Sequence, residues 1–520
     1  MYNKFRYKRV FFTGGKKTII RGICDGFSIL SLTSLFNNYK LKYMKQYVFL
    51  LCLLGAFFDT KASIHLPPFF TDHMVLQQQT KVPFSGTATP STAVQITTSW
   101  NGKKYETKAD VQGNWKLNIA TPAYGGPYEI TISDGEALTL HDILIGEVWF
   151  CSGQSNMEMP LAGWGKIKDY EQEIAKANYP NIRLLQVIRT AAQSPTDTVP
   201  LWNGAWQACS SKSIPEFSAT AYFFAREIYE KTHIPIGLIH SSWGGTYVEA
   251  WMSEQTLTQF DALKEAFDKM KTTAEASFNR KNGNQPTVLY NAMVEPFIHF
   301  PIKGAIWYQG ESNAGRAVAY RELFPAMIKD WRKKWGIGNF PFYFVQLANF
   351  MKKEPEPVAS NWAMLREAQT YALKLPHTGM AVICDIGEEK DIHPKNKQDV
   401  GKRLALQALK NTYGKKVIAQ GPVLKSYKMK GNEVVLNFDV APQDLVLKAT
   451  AGAHAFAVAG EDKQFHWAEV KQEGAKLIVH SPQVSHPVAL RYAWANNPDA
   501  LIFNTEGLPA SPFRTDNWEE

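Results

Sequence analysis

The chain has 520 residues, 57 of them Lys or Arg and 48 Asp or Glu, for a net charge of +9. A hydrophobic fraction of 45% with 20% charged residues excludes wholesale disorder and collagen-like repeats, and the length suggests about three domains with large buried cores. Spread over the fold, such a charge would point to nucleic acid or an anionic membrane surface.

The charge is concentrated at the front. Residues 1–43 hold nine basic groups, Lys4 to Lys42, against the single acid Asp25, for +8. Met44 and Lys45 then precede an unbroken apolar run from Tyr47 to Phe58, followed by Thr60-Lys61-Ala62, with small residues where a signal peptidase needs them. Residues 44–62 are therefore expected to be a secretory signal peptide, and residues 1–43 an over-extended reading frame ahead of a true start at Met44. The apolar run is shorter than the roughly 20 residues a membrane span requires, so no stable membrane anchor is expected after cleavage. Leu51 stands where a lipidated Cys52 would need a small neighbour. A buried core helix is the alternative for the apolar run. The expected product is exported, to the periplasm or beyond, and its residues 63–520 carry a net charge of zero. Nucleic acid is not an expected partner.

Residues 63–145 show short alternating runs, Lys81–Ser85, Ala93–Trp100, Asn114–Ile119 and Tyr128–Ser133, divided by turn signals such as Asn101-Gly102 and Asp134-Gly135. This spacing predicts an antiparallel β-sandwich. Residues 146–415 alternate apolar strands with helices. The strands are Glu147–Cys151, Ile234–His240, Gly304–Tyr308, Phe342–Leu347 and Gly379–Asp385; the helices are Ala219–Lys231, Arg316–Trp335, Asn361–Lys374 and Asn396–Thr412. Short, continuous apolar strands between helices predict a parallel sheet covered on both faces. Residues 416–520 return to strands, Val434–Asp439, Lys476–Ser481 and Ala489–Ala495, in a β-rich C-terminal region. Past the leader only Cys151, Cys209 and Cys384 remain, too few for a disulfide framework and not spaced for zinc. Cys151 and Cys384 read as buried thiols.

Ligands of open parallel sheets lie beyond the carboxyl ends of the strands. The loop after Cys151 reads Ser152-Gly153-Gln154-Ser155-Asn156-Met157. Ser155 at a strand-to-helix turn is either a presented nucleophile or a serine capping the next helix. Met157 separates this motif from the G-x-S-x-G elbow. The next strand leads to Ser241-Ser242-Trp243-Gly244-Gly245, whose backbone amides could form an oxyanion hole or a simple turn. Trp307-Tyr308-Gln309-Gly310-Glu311-Ser312-Asn313 follows the third strand. It offers Gln309 and Asn313 as neutral donors and Glu311 as an orienting or, more simply, an exposed acid. His393, two residues after Asp391, suits a general base steered by a carboxylate, or a capping or surface histidine.

GQSNM at 153–157, SSWGG at 241–245, WYQGESN at 307–313 and DIHPKNK at 391–397 together resemble the sialate O-acetylesterase family of SGNH hydrolases. The resemblance runs from about Leu66 to the C-terminus. It implies a flavodoxin-like, three-layer α/β/α hydrolase core that removes acetyl groups from sugar hydroxyls without metal or cofactor. It also implies Ser155 as nucleophile and His393 as base. Oxyanion contacts would come from the Ser155 amide, the Gly244/Gly245 loop and Gln309, with Asn313 as a further candidate. The family's D-x-x-H spacing is broken here, because Lys390 stands three residues before His393. Asp391 is the expected triad acid, though an extended chain would hold it about 6.5–7 Å from His393; Asp385 and a backbone carbonyl are the alternatives. An unperturbed His393 would favour neutral to mildly alkaline pH. O-acetylated sialic acid is the first expected substrate, its carboxylate requiring an arginine such as Arg316 or Arg366. An acetylated polysaccharide such as xylan, which needs no arginine, is the alternative; a non-catalytic glycan-binding protein is a third reading.

Overall fold

Alternation and continuity of apolar residues divide the chain as they do its sheets. A computed structural model describes residues 64–448 and 452–518; the expected extension and leader lie outside them. From Ser63 onward the chain packs as one compact unit.

In the first region Lys81–Thr87 pairs antiparallel with Asn114–Ala120, and Ala93–Thr98 pairs with both Lys104–Lys108 and Gly125–Ser133. Their alternating residues Val82, Phe84, Val94 and Ile96 are fully buried, as a period of two requires. Gly125–Ser133 then pairs with the start of one long strand, β1 (Ala137–Gly153). The expected boundary between residues 145 and 146 falls inside this strand. Its residues are exposed or half-buried up to Asp142 except for Leu140, and buried without interruption from Ile143, where it leaves the β-region and enters the central sheet.

The central sheet also contains β2 (Asn178–Gln186), β3 (Gln207–Ser210), β4 (Ile236–Ser242), β5 (Gly304–Tyr308), β6 (Phe342–Val345) and β7 (Thr378–Ala381). Their order is β7-β6-β5-β1-β4-β2-β3, parallel except for β3. Without the two edge strands β2 and β3, the remaining five follow the 2-1-3-4-5 order of flavodoxin-like sheets. The order reverses between β1 and β5, where the Ser155 loop and the QGESN loop leave side by side. Helices α2 (Ala219–Thr232) and α5 (Lys397–Asn411) pack on each other, as do α3 (Ala317–Trp335) and α4 (Asn361–Thr370). Among the described residues no helix is long and apolar enough to cross a membrane.

The C-terminal region forms a seven-stranded antiparallel sheet from Leu424–Lys430 to Phe513–Arg514, with its own core around Leu436, Val458, Val479 and Tyr492. Arg366 on α4 joins it to the central α/β region. Its buried guanidinium donates to the carbonyls of Leu347, Ala348, Ala495 and Asn496 at 2.7–2.9 Å. Burial pushes its pKa down to about 10. With its donors committed inside, Arg366 is unavailable to a substrate carboxylate, which corrects its candidacy. Cys151, Cys209 and Cys384 are free and buried, and burial raises all three thiols.

Candidate active site

The loop after β1 is built around a glycine that no other residue could replace. Gly153 has φ 141°, and a Cβ there would lie 2.1 Å from the Tyr308 carbonyl. This close approach of β1 to β5 turns the chain into the four-residue helix α1 (Ser155–Glu158). Gln154, not Ser155, is the N-cap, and its side-chain oxygen accepts the Gly310 and Ser312 amides at 3.3 and 3.4 Å. Ser155 is therefore not a capping serine. In the run 151–157 it alone is not buried.

Asn156, the next residue, gathers three loops. Its Nδ2 donates to Glu311 Oε1 at 2.6 Å and to the Ile392 carbonyl at 3.0 Å, while its Oδ1 accepts Lys397 Nζ at 2.7 Å. Lys397 also donates to the Pro394 carbonyl at 2.9 Å and lies over the Tyr308 ring. Ile392 and Pro394 flank His393, so the residue after the serine is fastened to both neighbours of the histidine. Lys397 is fully buried, and burial lowers its pKa to about 7 against the pull of Glu311. Glu311 is not the exposed acid expected: its Oε2 is sealed from solvent without a hydrogen-bond partner, and burial raises its pKa. Sequence reasoning missed Lys397 altogether. Its partner lies 241 residues away, and a lysine opening a helix reads as a solvated one.

The loop at Asp391 does turn. Asp391 Oδ1 accepts the His393 amide at 2.9 Å, an Asx-type turn, and so comes within 3.3 Å of His393 Nδ1. Its Oδ2 pairs with Lys395 at 3.1 Å. Partial burial pushes the Asp391 carboxyl up, but the His393 amide and Lys395 outweigh it and leave it below the ordinary value. Burial, and then the Lys397 cation, hold His393 below the usual imidazole range, against the pull of Asp391. Asp385 is committed elsewhere, in a two-pronged pair with Arg403 at 2.5 and 2.8 Å. No hydrogen bond joins Ser155 Oγ to His393 among the described residues.

The candidate oxyanion donors separate clearly. Gly244 abuts Ser155, for a Cβ on it would lie 3.1 Å from Ser155 Cβ. Its N–H, however, is donated to Glu158 Oε2 at 2.8 Å, and Glu158 is held in turn by Arg189. Gln309 is fully buried and fully used. Its Nε2 donates to the Thr246 carbonyl at 3.1 Å and to Asn313 Oδ1 at 2.6 Å, and its Oε1 accepts Tyr320 Oη at 2.8 Å. With both amide hydrogens engaged, Gln309 supports Asn313 and the 246 loop instead of meeting an oxyanion. Asn313 donates one Nδ2 hydrogen to Glu249 at 3.1 Å and keeps the other. The Ser155 and Gly245 amides make no hydrogen bond among the described residues. Arg316 pairs with Glu249 Oε1 at 2.7 Å and lies over the Tyr247 ring, its side chain 46% exposed. It is thus one carboxylate removed from Asn313. No cluster of His, Cys, Asp or Glu able to hold a metal occurs among the described residues.

The chain is similar to known proteins over most of its length. Residues 145–410 match the signature of a family described as carbohydrate esterase, sialic acid-specific acetylesterase. A sialate O-acetylesterase from Pongo abelii is 30% identical over 86% of this chain and 91% of its own length. The Homo sapiens sialate O-acetylesterase is 29% identical with the same coverage. Among solved structures, a carbohydrate acetylesterase from Xanthomonas citri is 40% identical, with a TM-score of 0.78 over 88% of this chain and 100% of that one.

Proposed function

The chain belongs to the sialic acid-specific acetylesterase family of carbohydrate esterases, and from that premise we propose that it deacetylates sugar hydroxyls, those of O-acetylated sialic acids first, through an acyl-enzyme on Ser155. The observation that carries the reading is the Asn156 junction. It fastens the presented serine to the loop whose histidine has a carboxylate 3.3 Å from Nδ1.

His393 takes the Ser155 proton as Oγ attacks the acetyl carbonyl, while Asp391 orients the imidazole and stabilises its charged form. Hydrogen bonds of this kind are commonly long in the free enzyme and tighten on the substrate. The developing oxyanion meets the Ser155 and Gly245 amides and the remaining Asn313 hydrogen. Collapse of the tetrahedral intermediate expels the sugar alkoxide, which takes the proton from His393. A water activated by His393 then releases acetate. Arg316, whose partner Glu249 also holds Asn313, is the candidate for a sialic acid carboxylate. Its existing pair with Glu249 favours a second reading, an uncharged acetylated glycan such as xylan.

Ser155→Ala tests the mechanism: turnover of an acetyl ester should fall by several orders of magnitude and fluorophosphonate labelling should vanish. Retention of either refutes it. Acetate release from 9-O-acetylated sialic acid against acetylated xylan separates the two substrates.

A further inference from the structure

An exposed indole presents a flat apolar face whose covering removes a large apolar area from solvent. Among the described residues the tryptophans counted as exposed are Trp164, at 49%, and Trp202, at 51%. Trp164 is the one that meets the site: its ring centroid lies 5.2 Å from that of His393, the planes at 74°.

The turn that raises Trp164 is firmly built. The Ala162 carbonyl accepts the Gly165 and Lys166 amides at 2.9 and 3.1 Å, and Leu161 and Ile167 on either side are buried. A Cβ at Gly165 would lie 2.0 Å from the Pro160 carbonyl, so the close turn depends on glycine. Two further bonds tie the turn to the histidine loop: the Lys168 amide donates to the Lys395 carbonyl at 2.9 Å, and Lys395 Nζ donates to the Gly165 carbonyl at 3.1 Å. Lys395 also pairs with Asp391, so one lysine links the turn bearing the indole to the acid beside His393.

His393 must return its proton to the departing sugar oxygen, and that requires the oxygen within hydrogen-bond reach of the imidazole. The sugar ring bearing that oxygen then lies within a few ångströms of His393, on ground that Trp164 shares. We propose that Trp164 is the platform on which the acetylated sugar ring packs, C–H face against indole, forming a subsite for a pyranose ring beside the acetyl-binding chemistry. This inference rests on the esterase reading of Ser155 and His393.

The experiment compares Trp164→Ala and Trp164→Phe with the wild type on p-nitrophenyl acetate, 9-O-acetyl-N-acetylneuraminic acid and an acetylated methyl xyloside. The ratio of kcat/KM on the better sugar ester to that on the aryl ester should fall at least tenfold in Trp164→Ala, mainly through KM. Trp164→Phe should recover part of it. Equal losses on both ester types would overturn the proposal, since Trp164 would then merely brace His393; an unchanged ratio would overturn it as well. Wild-type failure on every acetylated sugar, or activity surviving Ser155→Ala, would instead bring down the underlying reading and the proposal with it.

Discussion

Lys397→Met keeps the length and apolar packing of the side chain over Tyr308 and removes only the ammonium. Burial holds the Lys397 pKa at about 7, against an ordinary value of 10.5. Between those values the folded protein binds fewer protons than the unfolded chain, so this group makes stability rise with pH across that window. At about 1.4 kcal/mol per pH unit, the buried lysine costs the wild type about 4–5 kcal/mol at pH 7 and below. By pH 9 the cost has dropped to about 2 kcal/mol. Against it stand two hydrogen bonds, to Asn156 and Pro394, whose loss leaves buried acceptors worth about 1–3 kcal/mol each. Near pH 7 the opposing effects nearly cancel, and Lys397→Met should be about as stable as the wild type. From pH 7 to 9 the balance should move by about 2 kcal/mol in the wild type's favour. Urea unfolding followed by tryptophan fluorescence at pH 7, 8 and 9 measures the trend. Initial rates at the same pH values should meanwhile show kcat down at least tenfold, because Asn156 loses the donor that orients it. A stability difference that stays flat from pH 7 to 9, together with kcat within twofold of wild type, would refute the buried-cation argument.

The depressed His393 keeps the base unprotonated further into acid than a free imidazole would be. The acid limb of kcat/KM should therefore lie below pH ~6.5, extending activity beyond the neutral-to-alkaline range expected from the sequence; a limb above that value contradicts the burial argument. Asp391→Asn should lower kcat by about 100-fold or more while KM moves little, since the imidazole loses the charge that stabilises its protonated form. Activity near wild type would hand its role to a backbone carbonyl. Arg366→Met strips buried carbonyls of a shared donor and should destabilise the protein by about 3 kcal/mol, with faster proteolytic cleavage around residues 495–497. An unshifted urea midpoint would mean those carbonyls find other partners.

What could be read from the sequence were features carried by neighbouring residues. Gly304–Tyr308 is a strand from end to end, and the helices at 219, 316, 361 and 396 start within a residue of their predicted positions. The strand Asn178–Gln186 escaped notice because Pro180 interrupts it near one end, where its pairing with β3 shifts register. The catalytic loops were legible as motifs, but the work within each was not. Gln309 and Asn313 look alike as donors; what separates them is that the Thr246 carbonyl and Asn313 Oδ1 take both amide hydrogens of the first. Glu158 looks like one more helix-end acid until Gly244, 86 residues on, brings it an amide. Trp164 gave no local signal, since only the fold brings the turn at 162–166 to His393.

The long strand β1 has a consequence for how the β-region and the catalytic core act on each other. Its 17 residues begin paired with the β-region and end at the glycine before Gln154. The strand bends at Asp142, whose φ is 55°, yet its ladder resumes beyond the bend and runs to Gly153 with no linker between the two regions. A flexible tether would let a ligand on the β-region sample many distances from Ser155. A continuous strand instead fixes one distance and one bearing, a ruler and not a leash. Cutting the protein after residue 145 would divide this strand and leave Ser155 just beyond what remains of it.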